Sequence, residues 1–279
     1  MIERTEAPMP PDSDLTSSWR HVLIEFTDPA TAEHVAATTL APALERAELR
    51  SWWFLRKSPA WRLRYQARHP VTTTVDALLD EMAGRGQIAR WTSGFYEPET
   101  LALGGPLALD TAHTLFHHDS RHVLARAGEP RPGLGRCETT VLLFSAMLRA
   151  AGLDWFEQGD VWDRVATLRP AARPLGTQHR ARLEAAIRRL MTTAPPDPPL
   201  ARTWSAAFHT AGHRLGDLAR GGRLQRGLRA VLAHHFIFHA NRAGLSAADQ
   251  ATLAALAVHG VFHTTPTRPP VPDTTKVPA

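Results

Sequence analysis

The chain has 279 residues, 43% hydrophobic and 21% charged, with a net charge of +5; this balance belongs to a globular protein with apolar material for one large domain or two small ones. The basic excess is scattered arginine, with only two lysines, Lys57 and Lys276, so a dedicated nucleic-acid arm is excluded, direct nucleic-acid binding is not expected, and an anionic substrate suits the charge better. A single cysteine, Cys137, excludes an internal disulfide and a Cys-based zinc site and points to a reducing, cytoplasmic setting; the sequence shows neither a signal-peptide pattern nor a run of ~18 apolar residues that would span a membrane.

In chain order, residues 1–18 and the tail 264–279 are rich in Pro, Thr and acidic residues and are expected to be disordered. WRHVLIEF (19–26) alternates as a strand, and Asp28, Pro29 and Thr31 then supply start signals for a helix through residue 49. SWWFLRK (51–57) predicts a second strand, SPA a tight turn and WRLRYQAR (61–68) a third strand. A helix over 71–86, closed by Gly84 and Gly86, and a fourth strand over 87–99 follow. The order β-α-β-β-α-β is the split βαβ arrangement, a four-stranded antiparallel sheet backed by two helices.

Beyond residue 107 the sequence predicts helices only: 108–126, 138–151, 155–168, 177–192, 200–218, 224–242 and 247–259. The expected fold class is therefore α+β, one unit over 19–263 with a sheet part at 19–106 and an all-helical part at 107–263.

Arg62 and Arg64 alternate with Trp61, Leu63 and Tyr65, which puts two guanidinium groups on one sheet face, roughly 6–7 Å apart at a rise of ~3.3 Å per residue. A solvated outer face has the same pattern as an anion site. Arg56, at even parity in the preceding strand, is expected on that same face.

WWFLRKSPAWRLRYQAR, WTSGFYEPETLALGG with TLFHHDSR, LRAAGLDWFEQGDVWDRVATLRP and FIFHANRAGLS, in this order, resemble the C-terminal domain of lantibiotic dehydratases, called in its free-standing form the thiopeptide-type bacteriocin biosynthesis domain. The resemblance covers roughly residues 19 to 262. It implies a role in maturing ribosomally made peptides. In that family an N-terminal region, fused or separate, glutamylates Ser and Thr of a precursor peptide from glutamyl-tRNA, and this domain eliminates glutamate to leave dehydroamino acids. A diverged branch, the pyridine synthases, joins two dehydroalanines in a formal [4+2] cycloaddition and releases the leader. The chain offers no room for the glutamylation region, so the expected arrangement is a split system. Its partners would be a precursor peptide of leader plus core and a separate glutamyl-tRNA-dependent subunit; a homodimer stays open, and no cofactor or metal is called for.

The resemblance implies Arg62, Arg64 and His239 as catalytic residues. Arginine forks suit the enolate left when the Cα proton departs and the carboxylate of the leaving glutamate, and an imidazole near neutral pH can move the proton. Arg56, Tyr96, Asp119, Ser120, Arg121 and Arg242 are the expected substrate-binding set, with Asp119 read as an orienting partner rather than a base and Arg242 sharing a helix face with His239. His113 and His117, like His235 and His239, have the i,i+4 spacing that can bind zinc, but no HExxH glutamate accompanies them.

One departure stands out. The family pattern E-x-x-R-Y-G-G, aligned on Gly104 and Gly105, puts Ala102 at its arginine and Leu103 at its tyrosine. Three outcomes are open: Arg121, Arg90 or Arg242 substitutes in space, the chain belongs to the cyclising branch, or it is a non-catalytic peptide-binding accessory.

Overall fold

Period-two alternation builds the sheet as expected. In the computed structural model, which describes residues 19–68, 73–127, 134–170, 174–193 and 202–263, strands β1 (Trp19–Phe26), β2 (Leu49–Leu55), β3 (Trp61–Ala67) and β4 (Ile88–Gly94) form one sheet in the order β2-β3-β1-β4, and every pairing is antiparallel. The disorder expected for 1–18 and 264–279 falls outside the described residues.

One sheet face carries Val22, Ile24, Trp52, Phe54, Leu63 and Tyr65, all buried beneath two helices. The first of these, α1, runs as Ala32–Val35, a π-helical stretch Ala36–Leu40, and Ala41–Arg46; its widened turn leads into Pro42, which has no N–H to offer the ladder. The second, α2 (Thr73–Gly84), contributes Val75, Leu79 and Met82.

The opposite face is also buried at the β2–β3 end. Helix α3 (Pro106–Ala127) lies against β2 and sets Ala112 and Phe116 on Trp53 and Leu55, joined by Tyr96, Leu103 and Phe238 in a second apolar cluster. Side chains of α3 also meet the outer edge of β2: Ser120 Oγ accepts the Phe54 N–H at 3.2 Å, and His117 Nδ1 lies 3.0 Å from the Trp52 carbonyl oxygen. A bare sheet edge is a template for further pairing, and these contacts occupy part of it.

The remaining helices are α4 (Arg136–Ala150), α5 (Trp155–Thr167), α6 (Thr177–Thr192), α7 (Arg202–Arg220), α8 (Leu228–Arg242) and α9 (Ala247–Phe262). DWFEQGDVW does mark a helix start: Asp154 and Glu157 form a capping box at α5. Glu157 and Asp160 then hold Arg229 of α8 at 2.7 and 2.5 Å. No helix among the described residues is long and apolar enough to cross a membrane.

Several boundaries differ from the sequence expectation, three of them for a visible reason. β4 ends at Gly94 rather than 99, because the chain leaves the sheet to bury Tyr96 in the second cluster. α8 begins at Leu228 rather than 224, where Gly227 in extended backbone starts it. The first helix stops at Arg46, and Ala47 turns extended into β2.

Candidate functional site

The pairing register settles which side chains share a face. His21 and Trp53 flank Arg64 across the sheet, and Leu23 and Leu55 flank Arg62, so both arginines project from the face covered by α3. Their environments differ sharply. Arg64 is 2% exposed, with its guanidinium carbon 4.4 Å from the Trp53 ring centroid and 4.8 Å from that of Tyr96. Its Nη2 reaches Glu99 Oε1 only at 4.0 Å, and Nε and Nη1 are buried without a hydrogen-bond partner among the described residues. Burial lowers its pKa, opposed by Glu99. Arg62 is half-buried, and its charge registers on His21 and Arg64.

Above Arg64, the Tyr96 hydroxyl lies 2.7 Å from His113 Nε2. Burial raises the Tyr96 pKa. Burial and then the Arg64 charge lower that of His113 to about 4, so its ring is neutral near pH 7. His113 also packs on Trp19, centroid to centroid 4.5 Å, and forms part of the wall of a cavity of about 540 Å³ with Trp19, Gln66, Thr100, Leu109 and His117.

A second cluster is built on Asp119, which is fully buried. His239 Nδ1 lies 3.0 and 2.9 Å from its two oxygens, Arg242 Nε donates to Oδ2 at 2.7 Å, and Trp204 Nε1 donates to Oδ1 at 2.8 Å. Burial would raise the Asp119 pKa, but the charges and hydrogen bonds of His239 and Arg242 bring it down to about 2. The carboxylate therefore orients His239 with Nδ1–H toward it, while Nε2 faces the Thr140 hydroxyl at 3.1 Å. His239 and Thr140 line a small cavity of about 120 Å³ with Arg126, Arg136, Thr139 and Trp204. Asp119 thus contacts both Arg242 and His239, which share a helix face as their spacing requires.

The two clusters do not merge. No hydrogen bond, ion pair or ring contact among the described residues joins His239 to Arg62 or Arg64; Trp53, which packs on Arg64, meets Phe116 at 5.0 Å between centroids, and Phe116 stacks on Phe238 at 4.9 Å. Arg242 packs on Phe116, its guanidinium carbon 4.4 Å from the ring centroid, and its Nη1 and Nη2 have no partner among the described residues.

The other expected residues lie elsewhere. Arg56 is a correction: Trp53 and Leu55 are the β2 positions that pair with Arg64 and Arg62, so Arg56 falls on the opposite side, 4.8 Å over the Trp61 ring. There it binds Glu33 Oε1 at 2.8 Å and donates to the Arg242 carbonyl at 2.8 Å. Ser120 is buried and bonded to the β2 backbone. Arg121 is exposed and paired with Glu45 at 2.8 Å, as Arg90 is with Glu25 at 2.6 Å.

Ala102 and Leu103 sit in a turn whose Gly104 and Gly105 have φ of +104° and +100°, the left-handed region that favours glycine. Of the three arginines considered for the missing guanidinium, Arg242 is the one whose charge registers on Arg64. Trp53, Trp204 and Thr140 went unremarked in the sequence; an apolar–arginine cross-strand pairing signals Trp53, but nothing local marks the other two.

The family model described as lantibiotic biosynthesis dehydratase C-term matches residues 19–261. Among solved structures, the chain is similar to the tRNA-dependent lantibiotic dehydratase MibB from Microbispora sp. 107891, at 19% identity and a TM-score of 0.66 over 92% of this chain; the chain spans 29% of the length of MibB. It is also similar to TsrL (17% identity, TM-score 0.57, 87% of this chain and 93% of that one) and to TbtD, a pyridine synthase from thiomuracin biosynthesis (15%, 0.55, 87% and 97%). At these identities the three structures speak to the fold. No curated protein matches the sequence.

Proposed function

The chain belongs to the lantibiotic biosynthesis dehydratase C-terminal family, which serves the maturation of ribosomally made peptides, and from that premise we propose that it carries out β-elimination of glutamate from glutamylated Ser or Thr of a precursor peptide. A separate glutamyl-tRNA-dependent subunit supplies the glutamylated peptide in this reading.

The observation that carries it is the state of Arg64. A buried donor without a partner costs ~1–3 kcal/mol, and more when charged, so a guanidinium held between two aromatic rings with two of its nitrogens unmatched is a site prepared for an anion. Half-buried Arg62 on the same face adds a second fork. In the elimination, a base takes the Cα proton, the Cα=Cβ bond forms, the Cβ–O bond breaks and glutamate departs as its carboxylate. Negative charge develops first at the enolate and then at the leaving group, and guanidinium groups fixed in a water-poor site stabilise both.

His239 enters through Asp119: imidazole and Arg242 grip one carboxylate, so the histidine helps to fix the guanidinium that packs on Phe116. In this reading His239 is a positioning residue, where the resemblance implied a proton carrier.

Pyridine formation is the second reading, favoured by Ala102 at the position of the motif arginine. The test is direct. Purified protein is incubated with a glutamylated precursor peptide and free glutamate is measured; release that disappears with Arg64→Ala supports elimination. No release, together with conversion of a bis-dehydroalanine peptide to a product lighter by leader and water, replaces it with cyclisation. Inertness toward both peptides leaves the peptide-binding accessory role.

A further inference from the structure

The elimination needs a proton acceptor beside the anion site, and the partners of His239 among the described residues are Asp119, Thr140, Trp204 and Phe208 rather than Arg64. His113 is the histidine that belongs to both places that matter. Its Nε2 meets the Tyr96 hydroxyl at 2.7 Å, Tyr96 lies over Arg64 at 4.8 Å, and the same imidazole forms part of the wall of the 540 Å³ cavity. Trp19 and Trp53 pack on it at 4.5 and 6.0 Å, which fixes the plane of the ring. Nδ1 makes no hydrogen bond among the described residues.

We propose that His113 is the catalytic base of the sheet-face site, with Tyr96 orienting its ring, for a peptide residue whose leaving carboxylate is held at Arg64. The inference rests on the elimination reading and adds to it the residue that moves the proton. With Nε2–H donating to the Tyr96 oxygen, Nδ1 is the acceptor. It takes the Cα proton, the C–H electrons form the Cα=Cβ bond, and the Cβ–O electrons leave with the glutamate carboxylate at Arg64. The imidazolium keeps its Nε2–H on Tyr96, whose phenol remains protonated because burial raises its pKa. Before substrate arrives, burial and the Arg64 charge hold the ring neutral. An anion on Arg64 offsets the second of these and strengthens the base when it is needed.

The experiment compares wild type, His113→Asn, His113→Gln and Tyr96→Phe in glutamate release from a glutamylated peptide, with peptide binding followed by fluorescence anisotropy and folding by circular dichroism. Expected is a loss in kcat of about 100-fold or more for both His113 variants, with KM within about threefold of wild type, and a smaller loss for Tyr96→Phe. A folded His113 variant that retains more than a tenth of the wild-type rate overturns the assignment and leaves elimination standing. A wild type that releases no glutamate overturns both.

Wild type alone provides a second readout should the variants misfold. The groups facing His113 are Arg64 and Tyr96 from the sheet side, with Arg50, Asp110 and His117 around the cavity. A base kept neutral down to about pH 4 gives a kcat/KM that stays level from pH 8 to 5 and falls below that. A fall centred near pH 6.5, the ordinary imidazole value, overturns the assignment.

Discussion

His239 places Nδ1 within 3.0 Å of both oxygens of Asp119 across 120 residues of sequence, and both side chains are almost wholly buried. Arg242 and Trp204 complete the shell of the same carboxylate. Replacing Asp119 by Asn leaves the Arg242 guanidinium buried without its counter-charge, a change that costs ~3–5 kcal/mol. Urea denaturation of Asp119→Asn should show that loss, and the double variant Asp119→Asn/Arg242→Met should recover part of it, since the stranded charge is then gone. Equal stability of the single variant and wild type contradicts the assigned network.

Arg64→Lys separates charge from shape. Lysine keeps the positive charge but has neither the planar fork nor the flat face that lies between Trp53 and Tyr96. Glutamate release should fall about 100-fold or more for Arg64→Lys, nearly as far as for Arg64→Ala, and by less for Arg62→Lys, whose side chain is half in solvent. Comparable rates for Arg64→Lys and wild type reduce the role of Arg64 to that of a point charge.

These two sites also mark what could be seen in the sequence. Alternation in β1 and β3, glycine-closed turns and helical periodicity made the β-α-β-β-α-β order and the helical half legible, and put Arg62 and Arg64 on one face. Their inequality was not legible, because it depends on which β2 residue pairs with each and on Tyr96 arriving from the segment after β4. Arg56 went to the wrong face for the same reason: parity within one strand says nothing about register with the next. The i,i+3 spacing of His239 and Arg242 was readable. That Asp119 joins them and that Arg242 packs on Phe116 follows from helix packing, which a single sequence does not encode locally.

Acid should destabilise the fold well above the range of carboxylate titration. His113 and His235 are buried and neutral, each with a pKa lowered to about 4 by burial first. The unfolded chain binds a proton at each near pH 6.5, so the stability they confer is complete above that value and drains away as pH falls from 6.5 toward 4. At pH 5 each should contribute a loss of roughly 2 kcal/mol relative to pH 7. Unfolding free energies measured at pH 7 and 5 should differ by several kcal/mol, since burial also lowers the pKa values of His21, His117, His118, His122 and His234, and His235→Asn should reduce the difference by roughly 2 kcal/mol. A flat profile across this window means that the two rings are not neutral and buried together.

The helical half is locked by a close crossing of α4 and α7, which bears on the site because α4 carries Thr140 and α7 carries Trp204. A Cβ added at Gly212 would lie 2.2 Å from the Met147 carbonyl oxygen, and one at Gly216 would lie 2.5 Å from that of Ala151. Both obstacles are backbone, so neither relaxes by a change of rotamer, and the helices must separate instead. Gly212→Ala should therefore destabilise by ~1–3 kcal/mol or more, although alanine is the better helix former by about 1 kcal/mol. Separation also draws Trp204 away from Asp119 Oδ1, so the indole emission should shift toward that of a solvated ring. Gly84→Ala serves as the control, since a Cβ there meets nothing within 4 Å. Equal melting temperatures for Gly212→Ala and wild type show that α4 and α7 are not in this tight contact.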